Sequence, residues 1–298
     1  MLNIDPAVKR SLTEREPVLV LESTLISHGL PYPDNVNLMK DIFSICEGMN
    51  VQPAVIGMIK GVAKIGLNQE EIELLARADN VNKLSTRDIA MAAAGKQNGA
   101  TTVAATISLA EQAGLKIFST GGIGGVHRNF VNTLDVSADL YQLAKSSMIV
   151  ISSGAKAILD LSKTLEALET LAVQVIGYRT AFFPAFYSRS SEFKIPEIRS
   201  AAEIVEIFRI GAKLGLESSV LVCNPVPDEF NIPYDEIEVY ISEAVREAER
   251  KRLSGKEITP FLLQKLVSLS DGRTLHTNIA LIKNNVKLGC MIAQEYYK

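Results

Sequence analysis

Short unbroken apolar runs alternate along this chain with longer segments whose apolar residues recur at helical spacing. Pro17–Leu21, Lys116–Ser119, Met148–Ile151, Val173–Gly177 and Ser219–Cys223 place apolar residues side by side, as strands buried on both faces do. Between them Asp34–Gly48, Thr102–Gln112, Ile158–Leu171 and Ala201–Leu214 read as helices. In Ile158–Leu171 the residues Ile158, Leu161, Leu165 and Leu168 fall on one stripe. Gln69–Ala76 and Ser137–Leu143 predict shorter helices, and Thr86–Lys96 an alanine-rich one ended by Gly99. Ala54–Ile59 and Ala63–Gly66, joined through Lys60-Gly61, predict a hairpin. The last third predicts helices at Tyr234–Leu253, Pro260–Ser268 and Thr277–Glu295. Tyr178–Pro196, with aromatics, serines and no period, is expected as a long excursion over the sheet's edge and part of a substrate wall.

Strands that alternate with helices imply βα units, hence a three-layer α/β/α fold around a largely parallel central sheet. No repeat, low-complexity tract or linker marks a boundary, so residues 1–298 are expected to form one domain. Ligands of open parallel sheets bind outside the carboxyl ends of the strands. Glu22, Lys83, Thr120, Lys156 and Asn224 each follow an apolar run and are therefore candidates to meet in one crevice.

Composition narrows the partners. The chain of 298 residues is 47% hydrophobic and 22% charged, which excludes wholesale disorder. A net charge of −3 leaves no basic footprint for nucleic acid or an anionic membrane. No apolar run reaches the ~18 residues of a membrane span. The amino-terminal residues lack a basic region followed by an apolar one, so no signal peptide is expected. Cys46, Cys223 and Cys290 are odd in number and widely spaced, which argues against a disulfide framework or a zinc site and fits a reducing, cytoplasmic setting.

Three segments concentrate the chemistry: Thr120-Gly-Gly-Ile-Gly-Gly-Val-His127, Asp135-Val-Ser-Ala-Asp139 and Ser153-Gly-Ala-Lys156. Glycines let backbone amides approach an anion, carboxylates hold a cation or move protons, and lysine can be a nucleophile. Each has a plainer reading beside it. The glycines equally fit a tight turn, and their spacing is neither a dinucleotide fingerprint nor a phosphate loop. Ser137 suits a helix N-cap with Asp139 in the first turn. A lysine on a loop is ordinarily a solvated charge. Glu22, closing an apolar strand, is harder to dismiss, because an unpaired carboxylate beside a core is expensive. His28 and His127 sit in glycine-flanked loops whose spacing makes neither a metal ligand.

Seven collinear segments carry a resemblance: Leu21-Glu-Ser-Thr-Leu-Ile-Ser-His-Gly-Leu-Pro-Tyr-Pro, Lys83-Leu-Ser-Thr-Arg-Asp, Thr101-Thr-Val-Ala-Ala-Thr, Thr120 through Arg128, Ser137-Ala-Asp-Leu, Gly154-Ala-Lys-Ala-Ile-Leu-Asp and Asn278-Ile-Ala-Leu. Together, from about Glu16 to Asn285, they resemble pseudouridine-5′-phosphate glycosidases, a family that includes the indigoidine-synthesis A-type proteins. The resemblance implies reversible cleavage of pseudouridine 5′-phosphate to uracil and ribose 5-phosphate. It also implies one divalent ion per subunit, Mn²⁺, and a homotrimeric α/β protein. Matched residue by residue, it puts the general acid/base on Glu22, the covalent nucleophile on Lys156 and the metal ligand on Asp135. Substrate contacts fall on Lys83, the backbone at Val103, Ser137, Ala138, Asp139 and Asn278.

The bond in question joins two carbons, so the paired carboxylates that serve O-glycosides leave a poor carbon leaving group. A neutral lysine that attacks C1′ while an acid protonates the ring oxygen opens the ribose and leads to a lysine–sugar imine. Burial, the dipole of a helix starting at Ile158 and the charge of Lys83 are expected to favour the neutral amine. Two other classes stay open: an imine-forming lyase or aldolase for a different phosphosugar, and a non-catalytic phosphosugar-binding protein.

Overall fold

The computed structural model describes residues 2–78, 80–251, 253 and 258–298. Among them thirteen strands can be followed in chain order: β1 (Leu2–Ile4), β2 (Val18–Glu22), β3 (Gln52–Ile59), β4 (Val62–Ile65), β5 (Asn82–Leu84), β6 (Gly99–Thr101), β7 (Ile117–Ser119), β8 (Val126–His127), β9 (Ile149–Ser152), β10 (Leu159–Asp160), β11 (Gln174–Tyr178), β12 (Glu197–Ile198) and β13 (Val220–Cys223). Eleven form one sheet in the order β1-β4-β3-β2-β7-β9-β13-β11-β12, with β6 branching from β3 and β5 from β6. The run from β3 to β12 is parallel throughout. Within this sheet, antiparallel pairing is confined to β4 and β6 against β3.

The central strands β2, β7, β9 and β13 are buried at every position, which is why they read as unbroken apolar runs. Helices cover the sheet. Arg273–Tyr296 lies over β2, β7 and β9 with Asp34–Gly48 and Ala201–Lys213 beside it, while Val103–Gln112 packs on β2 and β3 with Ala138–Ala144 alongside. The expected hairpin is β3–β4, turned by Lys60 and Gly61 at φ of 49° and 77°, the left-handed pair that a two-residue turn requires. The three cysteines are free and buried. No helix among the described residues is long and apolar enough to cross a membrane.

Four expectations need correction. The helix expected at Ile158–Leu171 begins at Leu161, capped by Asp160. Leu159 and Asp160 instead pair with β8 as an antiparallel ribbon, so no helix starts beside Lys156. The segment Thr86–Lys96 is a 3-10 turn, Thr86–Asp88, followed by a short helix, Ile89–Ala94. Gly99 does not end it but begins β6, where an added Cβ would sit 2.4 Å from a Leu84 methyl. The Tyr178–Pro196 excursion does run to the edge strand β12, yet Phe183, Phe186 and Tyr187 are buried. It supports the loop that carries Lys156 and lines no part of the first cleft described below, and only Tyr187 reaches a cavity, the second one. Tyr234–Leu253 is helical to Arg250, and Arg252 lies outside the described residues.

Candidate active site

A cleft of about 310 Å³ opens at the carboxyl ends of the strands and is lined by Glu22, Lys83, Arg87, Val103, His127, Asp135, Ser137, Ala138, Asp139 and Lys156. All the site residues that the resemblance implies are here except Asn278, while Thr120 and Asn224, candidates from their places after apolar runs, do not line the cleft. They arrive from several separate segments of the chain. Glu22 ends β2, Lys83 lies within β5, Val103 opens a helix behind its N-cap Thr102, and Ser137 caps the helix Ala138–Ala144. Lys156 stands four residues beyond β9.

Glu22 is 3% exposed. Burial raises its pKa above the ordinary 4.5, and Asp139 adds to this. The charges of Lys156 and Lys83 and a hydrogen bond from Thr120 pull the other way without reversing it. The balance shifts the carboxyl toward its acid form relative to a solvated glutamate, the direction that an acid catalyst needs.

The loop that presents Lys156 is tied down by its backbone. Lys156 N donates to Ile123 O at 3.0 Å, Ser153 N to Gly121 O at 2.9 Å, and Phe186 N to Ser153 O at 3.1 Å. Gly154 has φ +76°, and a Cβ there would lie 2.2 Å from Pro184 O; only glycine fits both constraints. The buried aromatic excursion thus sets the height of the lysine loop.

The glycine segment works differently from expectation. The anion that Gly124 N meets is the protein's own: its amide donates to Asp139 Oδ2 at 2.8 Å. The other oxygen of Asp139 accepts from Ala104 N at 2.9 Å. A Cβ on Gly124 would fall 2.2 Å from Ser137 Oγ, so the close approach requires glycine. Asp139 therefore staples the glycine loop to the start of the helix Val103–Gln112. The amides of Ala104 and Ala105 are taken by Asp139 and Thr102, and that of Val103 is the one these two acceptors leave at the helix start, where an anion is favoured.

Asp135 is half-buried, with Oδ2 3.7 Å from Nε2 of His127. Burial, helped by Lys83 and Lys156 and opposed by Asp135, lowers the pKa of His127 below its usual value. The described residues contain no group of three or more His, Cys, Asp or Glu able to chelate a metal. One carboxylate on an open cleft fits a hard cation that keeps most of its waters.

Asn278 lies elsewhere. It lines a second cavity, of about 330 Å³, with Ser27, His28, Tyr187 and Thr274. Ser27 Oγ, His28 Nε2 and Asn278 Oδ1 are buried there without hydrogen-bond partners. Burial and the charge of Lys83 lower the pKa of His28, so this cavity is within electrostatic reach of the first. Asn224, another sequence candidate, is not at the cleft; it is buried and donates to Asn285 Oδ1 at 3.0 Å. His127 and Arg87 were missed as site residues, although both lie inside motifs visible in the sequence.

A parallel sheet with an acid and a lysine on one cleft at its carboxyl edge describes an α/β enzyme rather than a binding scaffold. The sequence model of the indigoidine synthase A-like proteins matches residues 7–295, and the chain belongs to that family. A pseudouridine-5′-phosphate glycosidase of Thermosipho africanus is 47% identical over 296 residues, covering 99% of each chain. One of Solibacter usitatus is 48% identical over 293 residues, 98% of each. An indigoidine synthase A-like protein of Thermotoga maritima superposes with a TM-score of 0.92 at 39% identity, covering 100% of this chain and 97% of that one. The prealnumycin C-glycosynthase AlnA, solved with ribulose 5-phosphate, has the same TM-score at 33% identity and the same coverage.

Proposed function

We propose that this protein cleaves, reversibly, the carbon–carbon glycosidic bond of pseudouridine 5′-phosphate to give uracil and ribose 5-phosphate. The observation that carries the reading is the pairing of Glu22, buried and biased toward its acid form, with Lys156 on the same cleft. The relatives named as glycosidases of this substrate, and a neighbour that handles a pentose phosphate, support it.

In the proposed sequence the Lys156 amine attacks C1′ as the bond from C1′ to the ring oxygen breaks, and that oxygen takes the Glu22 proton. The nitrogen lone pair then forms a C1′=N double bond while the bond to uracil C5 breaks, C5 having taken up a proton. Water hydrolyses the imine, releasing ribose 5-phosphate and restoring the lysine. The 5′-phosphate is placed against the Val103 amide, Ser137 and Lys83, where two helix starts meet the cleft. The base is placed in the second cavity, where Asn278, His28 and Ser27 offer polar atoms to its imide edge. Mn²⁺ would be held by Asp135, supplying positive charge beside the phosphate.

Incubation with pseudouridine 5′-phosphate and manganese tests the reading. Uracil and ribose 5-phosphate are expected, uridine 5′-phosphate should stay intact, and chelation should stop turnover. Borohydride with ribose 5-phosphate should add mass to the peptide containing Lys156, and Lys156→Arg should lose on the order of 10³-fold or more in turnover. Equal cleavage of uridine 5′-phosphate, or full activity of Lys156→Arg, would sink it.

A further inference from the structure

Thr120 follows β7, the strand next to β2, and is 1% exposed. Its hydroxyl donates to Glu22 Oε1. Its main chain is fixed at both ends: the amide donates to Ile151 O at 2.9 Å, and the carbonyl accepts from Asn285 Nδ2 at 2.8 Å. Asn285 is completely buried on the helix Arg273–Tyr296. It also donates to Ser153 Oγ at 3.1 Å and accepts from Asn224 at 3.0 Å. One amide side chain thus clamps the ends of β7, β9 and β13. The Thr120 hydroxyl is held by the scaffold, and the Glu22 carboxyl has to adapt to it.

A protonated carboxyl carries hydrogen on one oxygen only. An oxygen that already accepts a hydrogen bond from a fixed donor is a poor seat for that hydrogen, because the two hydrogens would face each other. We propose that Thr120 is a positioning residue for the acid: it reserves Oε1 of Glu22 as an acceptor and so leaves the transferable proton on Oε2. This rests on Glu22 being the proton donor.

Two consequences separate positioning from mere packing. Without the hydroxyl the proton is shared between both oxygens and the carboxyl can turn, so kcat falls about 10-fold or more while KM changes little. The hydroxyl also stabilises the ionised form, alongside Lys156 and Lys83 and against Asp139. Removing it raises the Glu22 pKa further, and the alkaline limb of the pH–activity curve, where the acid form is lost, moves to higher pH.

The test compares wild type, Thr120→Val, Thr120→Ser and Glu22→Gln on pseudouridine 5′-phosphate, with melting temperatures alongside. Thr120→Val should lose kcat and shift the alkaline limb upward, and Thr120→Ser, which keeps the hydroxyl, should restore both. If Thr120→Val does not fold, Thr120→Ala is read by the same criteria. An unmoved limb with kcat within about twofold of wild type overturns the positioning role. So does a loss of kcat with an unmoved limb, which is structural damage. With Glu22→Gln inactive, either result overturns Thr120 alone; an active Glu22→Gln overturns the assignment of Glu22 and the role of Thr120 together.

Discussion

Glu22 is held where its charge is costly, and this makes it a stability variable as well as an acid. Its folded pKa lies above 4.5, chiefly through burial. Between 4.5 and that raised value the folded protein binds a proton that the unfolded chain has released, so stability falls as pH rises through the window. The contribution is fully present below the unfolded value and lost above the folded one. Glu22→Gln removes the dependence. Its melting temperature relative to wild type should therefore improve as pH rises from 4.5 through the raised folded value, and then level off. Thermal unfolding of both proteins across that range checks the sign, and a gap that narrows with rising pH would contradict it. Such a cost is what the proposed role in proton transfer would impose on the fold around Glu22.

At the scale of elements, the site is a set of loops fastened to one another before any ligand arrives. Asp139 shows how. Truncating it to alanine leaves the buried amides of Ala104 and Gly124 without acceptors, which costs roughly 2–5 kcal/mol and should lower the melting temperature by roughly 5–10 °C. Scanning calorimetry of Asp139→Ala measures it; an unchanged transition would show that the staple is idle. The sequence displayed most of these elements, because strands buried on both faces have no polar positions to disguise them. Glu22, Lys83 and Lys156 were legible as polar residues that follow apolar runs, a signal that also picked out Thr120 and Asn224 off the cleft, whereas Asp135 and Ser137 were reached through the family resemblance. The β8–β10 ribbon was not legible: Leu159 and Asp160 lie between Ile158 and Leu161 of a helical stripe, and only their pairing with His127 and Val126 draws them into a strand. Gly124 was read as anion-binding with its partner wrongly placed outside the protein, since nothing in the spacing shows that Asp139 reaches back fifteen residues.

For the whole molecule, association is the property least visible in one chain. Met91, Val131, Leu134 and Tyr141 are 62–79% exposed, on segments that flank the cleft residues Arg87, Asp135 and Ala138. Burying them between subunits gives an apolar reason to assemble, and a trimer is the state expected. Light scattering at micromolar concentration should return three times the 32.4 kDa of one chain, and a monomeric mass would refute it. The second cavity and the clamp around Asn285 escaped the sequence for a common reason. Their members come from opposite ends of the chain, and the order of residues says nothing about which ends meet.

That clamp has a temporal side. Every residue that lines the cleft is encoded before Asn285. A ribosome therefore lays down Glu22, Lys156 and the helix start at Val103 well before it supplies the amide that links Thr120 to Ser153. A nascent or prematurely terminated chain would carry every cleft residue without that fastening. Closing of the clamp waits until synthesis has reached the helix Arg273–Tyr296.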